Sequence, residues 1–251
     1  EASPWLYAAA NFGPNAQPPD YADPARIVAY VPPDRDRKNG KWEPVLLGKR
    51  PVVHAIEVGG DMFLTADNLG VGFPTTSEFL GGPDLTMDLF PGAEGPAPNR
   101  GASEIRVGHL PAGPKEEDSG LFATIEPWHG NQVVVRRARF IGNVNGPDDP
   151  VFKFGPRVVL DDTLDAGHAL WTADVDGDGD SEVFAGHRGK DHRVSMYQYD
   201  PKADGWDRTV LDRDIAAQDL RGGDLDGDGT PEVVAVGGST HNVVLYRFRR
   251  P

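Results

Sequence analysis

The sequence predicts an all-β fold, a β-propeller of four-stranded antiparallel blades. Three observations predict it. Two nine-residue acidic loops, 174–182 and 224–232, lie 50 residues apart, and each reads D-x-D-x-D-G-x-x-E. Each runs directly into a strand-forming stretch, Val183-Phe184-Ala185 or Val233-Val234-Ala235-Val236. The flanks repeat too, at a period of ~45–60 residues with four short strands per unit, which is the pattern of a propeller or related β-array.

The elements follow in chain order. Residues 1–50 read as strands B, C and D of one blade, at 5–10, 26–30 and 42–47. The blade at 51–118 opens with Val53-His54-Ala55-Ile56-Glu57, passes a degenerate loop, Gly59-Gly60-Asp61, and returns through Met62-Phe63-Leu64-Thr65. Residues 70–105 interrupt it, with Gly81-Gly82-Pro83-Asp84 and Pro91-Gly92-Ala93-Glu94-Gly95-Pro96. A loop this long reads as a lid or binding loop, or else as an insertion. In the blade at 119–164, the stretch 121–128 is taken as the innermost strand A, His129-Gly130-Asn131 replaces the acidic loop, and Gln132-Val133-Val134-Val135 is strand B. The blade at 165–212 holds the first acidic loop, with 193–197 as strand C and 206–211 as strand D; 213–251 supplies A, B and C of a fifth. All five fit one domain, 1–251, an ordinary length for an all-β unit. Five blades make either a small ring or a piece of a larger one. The missing first A strand leads us to expect sequence upstream, and a start at Glu1 rather than Met fits a processed or trimmed N-terminus.

The acidic loops read as calcium sites. Asp174, Asp176, Asp178, Asp180 and Glu182 present carboxylates at alternate positions of a tight turn; Asp224, Asp226, Asp228, Thr230 and Glu232 repeat the pattern. Gly179 and Gly229 let the backbone turn without a Cβ clash. Oxygen at this density suits Ca²⁺, which takes six to eight such ligands, better than Mg²⁺. A helical EF-hand needs a bidentate Glu at position 12, where this chain has Ala185 and Ala235. Two closed, structural Ca²⁺ shells are therefore expected. The alternative is a pair of solvated acidic turns, in which the carboxylates repel one another.

Composition narrows the function classes. The net charge is −14 and the pI about 4.8, so nucleic acid and anionic membranes are not expected partners. No stretch approaches the ~18 apolar residues of a membrane span. The absence of Cys neither requires nor excludes secretion. Millimolar extracellular calcium would fill the loops, so a secreted or periplasmic protein is expected. Serine-hydrolase, P-loop and dinucleotide motifs are missing.

In an antiparallel A–B hairpin, the start of A and the end of B share the end opposite the calcium loop. The repeat alignment therefore predicts a rim. Starts of A supply His54, His168 and Gln218; ends of B supply Asp67, Asn68, Arg136, Arg137, His187, Arg188, Gly237 and Gly238; the first blade supplies Asn11. His54, His168 and His187 can ligate Zn²⁺ or a similar ion, or one of them can act as a general base. Arg136 and Arg188 suit an enolate or carboxylate oxygen. Asp67, Asn68, Gln218 and Arg137 would then contact the substrate. Alternatively these groups are polar plugs of a propeller channel. The alignment puts His129 on the calcium side, where it forms either a second site with Trp128 or a plain turn. His109, His192 and His241 are read as surface residues.

On these loops and strands the chain resembles the FG-GAP/VCBS repeat family of calcium-loop β-propellers, strongly over 165–250 and weakly over 1–160. The His-Ala-[Ile/Leu] strand starts and the stretch Ile125-Glu126-Pro127-Trp128-His129-Gly130-Asn131 are similar to the propeller part of aldos-2-ulose dehydratase-like proteins. That resemblance implies dehydration and isomerisation of keto-sugars, with His54 or His168 as base and Arg136, Arg188 or a metal as electrophile. The fungal enzyme also carries cupin domains, which this chain lacks, so additional domains are an expected partner. Two functions remain open beside a purely structural fragment. One is a secreted carbohydrate lyase taking a small-molecule or oligosaccharide ligand; the other is a non-enzymatic carbohydrate- or protein-binding module. A rim with His in some blades and Gly in another favours one central site over several equivalent ones.

Overall fold

The computed structural model describes residues 6–33, 40–59, 62–74, 86–97, 99–110, 119–143 and 150–249. They form nineteen strands, and among them no helix is long and apolar enough to cross a membrane. The strands make five antiparallel sheets that succeed one another along the chain. The first sheet is β1 (Leu6–Ala9), β2 (Ala25–Val31) and β3 (Glu43–Arg50). The second is β4 (Ala55–Gly59), β5 (Met62–Asp67), β6 (Gly70–Pro74) and β7 (Thr86–Pro91). The third joins β8 (Glu104–Leu110), β9 (Ser119–Glu126) and β10 (Gln132–Asn143), whose two halves pair with β12 (Val158–Asp161) and β11 (Pro150–Phe154). The fourth is β13 (Gly167–Ala173), β14 (Glu182–His187), β15 (Arg193–Asp200) and β16 (Gly205–Asp212). The fifth is β17 (Ala217–Gly223), β18 (Glu232–Gly237) and β19 (Val243–Tyr246). This is an all-β fold of propeller-like blades.

Period-two patterning explains why these sheets stack. Successive side chains of a strand point to opposite faces. On β9, Leu121, Ala123 and Ile125 pack against Leu170, Val183 and Ala185 of the fourth sheet, while Phe122 turns to Leu64, Val71 and Phe90 of the second. On β14, Phe184 turns the other way and joins Leu220 and Val233 of the fifth sheet, with Ile215 just before it. Ala25 and Ile27 of the first sheet meet Val53 and Phe63 beside the second. Four apolar clusters thus fill the four gaps between five consecutive sheets. The inner sheets are buried on both faces, which is why their strands read as near-continuous apolar runs.

The third sheet differs from the sequence reading. Its first strand is β8, and β9 is second. Strands alternate in direction, so shifting the assignment by one strand exchanges the two ends of β9 and β10. Part of the supposed interruption at 70–105 is regular structure, namely β6, β7 and the start of β8. Gly81-Gly82-Pro83-Asp84, Gly60 and Asp61 lie outside the described residues.

A buried polar knot ties the third sheet to the fourth. The Asp161 side chain is 1% exposed. Its Oδ2 accepts hydrogen bonds from Tyr197 Oη (2.7 Å), Arg208 Nη1 (2.9 Å) and Arg193 Nη2 (3.2 Å), and its Oδ1 from Thr163 N (2.8 Å) and Oγ1 (2.6 Å). Burial alone would raise its pKa, but the bonds from Thr163, Tyr197 and Arg208 outweigh that and hold the carboxyl well below the usual range. Asp161→Ala is expected to cost about 3–5 kcal/mol in urea unfolding, because Arg193 is left buried without its counter-charge. A loss under 1 kcal/mol would refute this account. The sign with pH follows: Asp161 stabilises the fold above the ordinary carboxylate range, and the contribution fades as pH drops toward its depressed folded value.

Candidate functional site

The two acidic loops connect β13 to β14 and β17 to β18, and they adopt the same internal bonding. In the first, Asp174 accepts from Gly177 N (2.6 Å) and Gly179 N (3.2 Å), and Glu182 Oε2 accepts from Val175 N (2.9 Å). In the second, Asp224 accepts from Gly227 N (2.8 Å) and Gly229 N (3.0 Å), and Glu232 Oε2 from Leu225 N (2.8 Å). Gly179 and Gly229 sit at φ of 96° and 87°, the left-handed region that favours glycine. One oxygen each from Asp174, Asp176 and Glu182 lies within 4.8 Å of the others, and Asp224, Asp226 and Glu232 repeat the triad. Asp178 and Asp228 stand outside these triads and instead accept from the backbone of Asp180 (2.8 Å) and Thr230 (2.7 Å).

The donor set fits a hard cation. Glu182 Oε1 and Asp180 Oδ1 are buried acceptors without a hydrogen-bond partner. Burial, followed by the charges of Asp176, Asp178 and Asp174, pushes the Glu182 carboxyl up to about 7. Burial and Asp178 raise Asp180 as well. Carboxylates gathered at this expense would be satisfied by a divalent ion. His109, read from sequence as a surface residue, contacts this loop: its Nδ1 lies 2.8 Å from the Gly179 carbonyl.

At the opposite ends of the strands, three imidazoles meet. His54 directly precedes β4, His168 lies on β13, and His129 occupies the turn between β9 and β10. Their ring centroids are 4.7, 4.9 and 5.1 Å apart, and one ring nitrogen of each falls within 4.8 Å of the others. His54 Nδ1 lies 2.7 Å from the Ser103 carbonyl and 3.2 Å from Glu104 Oε1. His168 Nδ1 lies 2.8 Å from the Gln218 carbonyl. A carbonyl only accepts, so both Nδ1 atoms carry a proton, and the two Nε2 atoms face into the cluster, where that of His168 meets Gln218 Nε2 at 3.2 Å. His54 Nε2 is 2.8 Å from His129 Nε2. Burial, then His54, His168 and Arg188, pushes His129 down to about 3; burial leads a similar lowering at His168. Burial therefore favours the neutral, ligand-competent form of His129 and His168. Trp128 stacks on His129 at 4.8 Å and is flanked by Phe12 and Tyr21, which fixes the turn.

Beside the imidazoles lies a cavity of about 410 Å³, lined by His54, Glu104, His168, Gln218, Asp219 and Arg221 among others. These come from the opening strands of four sheets or the residue just before one. Arg221 Nη1 bonds Asp219 Oδ1 at 2.6 Å. Arg106 is buried deeper, 3.5 Å from Glu57 and 3.6 Å from Glu104. Burial raises Glu57 and lowers Arg106, each against the pull of the other.

The structure separates the residues expected on this rim. His54, His168, Gln218 and Arg188 come together: Gln218 Nε2 reaches His168 Nε2 at 3.2 Å, and its Oε1 accepts from Arg188 Nη1 at 3.0 Å. His187 does not join them. Its ring is buried between Asp165 and Arg193, whose Nη1 lies 3.1 Å from Nε2. Asp67 is consumed by a buried ion pair with Arg50 at 2.7 Å. Asn68 is buried, with neither side-chain amide atom hydrogen-bonded. Arg136 lies over Phe90 and donates to the Pro91 carbonyl (3.1 Å), and Arg137 lies over Tyr199 at 4.6 Å. Both sit opposite Phe122 and Leu121, near the start of β9 and away from the His129 end.

Sequence reasoning missed His129, Glu104, Asp219 and Arg221. His129 was assigned to the calcium side because β9 was taken as the innermost strand; with β8 in that place, the β9–β10 turn moves to the rim. The signal was available in Glu104-Ile105-Arg106-Val107, whose buried start resembles that of the other opening strands.

Residues 174–235 match the family model described as FG-GAP-like repeat, a span containing both acidic loops. The search of curated proteins returned no match.

Proposed function

We propose that this chain, with its FG-GAP-like repeats as a calcium-stabilised scaffold, is a metal-assisted lyase that eliminates water from a keto-sugar outside the cytoplasm. The observation that carries the reading is the convergence of His54, His129 and His168 from three sheets, with the Nδ1 atoms of His54 and His168 turned to carbonyls and their Nε2 atoms turned into the cluster. Three imidazole ligands would leave a fourth position open, the ligand count of catalytic rather than structural zinc. A zinc ion held there would polarise a carbonyl oxygen as a Lewis acid.

The chain's own residues supply the rest. The cavity of about 410 Å³ is of small-molecule size. Glu104, 3.2 Å from His54 Nδ1, orients that ring. Asp219, half-exposed in the cavity wall, takes the proton α to the carbonyl. The electron pair moves into the enolate, whose oxygen is held beside Arg188 and Gln218. Collapse of the enolate expels the β-hydroxyl, which leaves as water with the proton that Asp219 took, so that Asp219 returns to its carboxylate form. Substrate minus H₂O gives an unsaturated ketone, with no oxidant needed.

The test is a spectrophotometric assay of zinc-loaded protein with 1,5-anhydrofructose. A conjugated enone should accumulate, and Asp219→Asn should slow it by roughly 10²–10⁴-fold. Stoichiometric zinc binding without enone would sink the lyase reading.

A further inference from the structure

We propose that a second groove, between the third and fourth sheets, binds an acidic saccharide, a sugar ring carrying a carboxylate. This groove encloses about 510 Å³ and shares no lining residue with the cavity beside the imidazoles. The proposal is independent of the lyase reading.

One wall is cationic. Arg137 and Arg139 are two apart on β10 and so share a face. Lys153 of β11 stands directly opposite Arg139 in the ladder. Like charges facing each other across strands repel. Among the described residues, neither Arg139 nor Lys153 has an ion-pair partner. The chain carries 39 acidic side chains against 25 basic ones, so three cations collected in one groove run against its composition. An anion bound between them relieves the repulsion.

The facing wall is aromatic. Tyr199 of β15 and Trp206 of β16 have ring centroids 5.5 Å apart, and Arg137 lies 4.6 Å over Tyr199. The Tyr199 hydroxyl donates to Asp204 at 2.7 Å, which holds the ring in place. Asp204 also lines the groove and can accept from sugar hydroxyls. A sugar ring matches this pair of walls, because its C–H face packs on aromatic rings while a carboxylate pairs with guanidinium and ammonium groups. An inorganic anion would leave the aromatic wall unused. A nucleic acid would meet repulsion from the chain's net charge of −14.

Calorimetric titration of the intact chain with trigalacturonate tests this, alongside a neutral galactose trisaccharide and inorganic sulfate. Trigalacturonate should bind, with the neutral trisaccharide and sulfate each at least tenfold weaker. Lys153→Ala and Arg139→Ala change exposed strand positions, so they should weaken trigalacturonate binding at least tenfold with an unchanged melting curve. Trp206→Ala should also abolish binding, but Trp206 packs against the core, so the two exposed variants decide. His129→Ala should leave binding unaltered. The proposal is overturned by wild-type protein that does not bind trigalacturonate, by neutral trisaccharide or sulfate binding equally well, or by unaffected Lys153 and Arg139 variants.

Discussion

His129→Ala is expected to lower zinc affinity roughly 100-fold or more, and His187→Ala to leave it unchanged. Zinc held by several ligands binds with about 10–16 kcal/mol, so losing one of three protein ligands removes several kcal/mol, and each 1.4 kcal/mol is tenfold. His187 serves as the contrast because sequence places it beside His168 on the paired strand, while the structure turns it to Asp165 and Arg193. Competition with a chromogenic chelator measures both variants. Equal zinc affinity in the two would dissolve the three-imidazole site. The pH dependence has a definite sign. Free imidazoles protonate near 6.5, but burial and its neighbours hold His129 near 3. In the metal-free protein, the unfolded chain gains this proton first, so stability declines as pH falls from about 6.5 toward 3. His129→Ala should remove that part of the acid sensitivity.

Calcium removal is expected to have the second large effect. A ligand that binds only the folded state at 100 times its Kd adds about 2.7 kcal/mol, so two sites add roughly 5 kcal/mol. For a chain of this length, that moves the thermal midpoint by roughly 10–20 °C. Scanning calorimetry with and without a chelator reads the shift, and coincident midpoints would contradict the calcium assignment. The pH term runs opposite to that of His129. Without calcium, Glu182 titrates near 7 in the fold against the ordinary 4.5 when unfolded. Its raised pKa favours the fold below the unfolded value, and this advantage is lost as pH rises through 7. The stability gap between calcium-loaded and chelated protein should therefore narrow as pH falls from 8 to 5. Comparing the two forms at each pH cancels the histidine contribution. Glu182→Gln mimics the protonated group, so it should stabilise the chelated protein while weakening calcium binding.

The legibility of this chain varies with how local each feature is. The turn geometry of the acidic loops was legible from nine residues apiece, since alternating Asp and a φ-positive Gly set it within the turn, whereas Asp178 and Asp228, read as ligands, stand outside the carboxylate triads. The His54–His168 pairing was also readable, because both precede or open a first strand in the same register. Arg136 and Arg137 were misplaced for the reason that hid His129. One strand counted wrongly in the third sheet reversed the direction assigned to the next two. Asp67 sits near the predicted end, yet its charge is taken up by Arg50, a partner 17 residues away that no local pattern announces.

The sequence by itself determined the all-β class, the repeat and the two acidic loops, because alternation along a strand and ligand spacing in a turn are short-range properties. Only the tertiary structure decided which imidazoles converge, which carboxylates face the cavity and where unpaired cations gather. Those depend on how separate sheets pack face to face. Such packing is driven by apolar area without direction, so it brings together residues as far apart as His54 and His129 that the repeat alignment had placed at opposite ends.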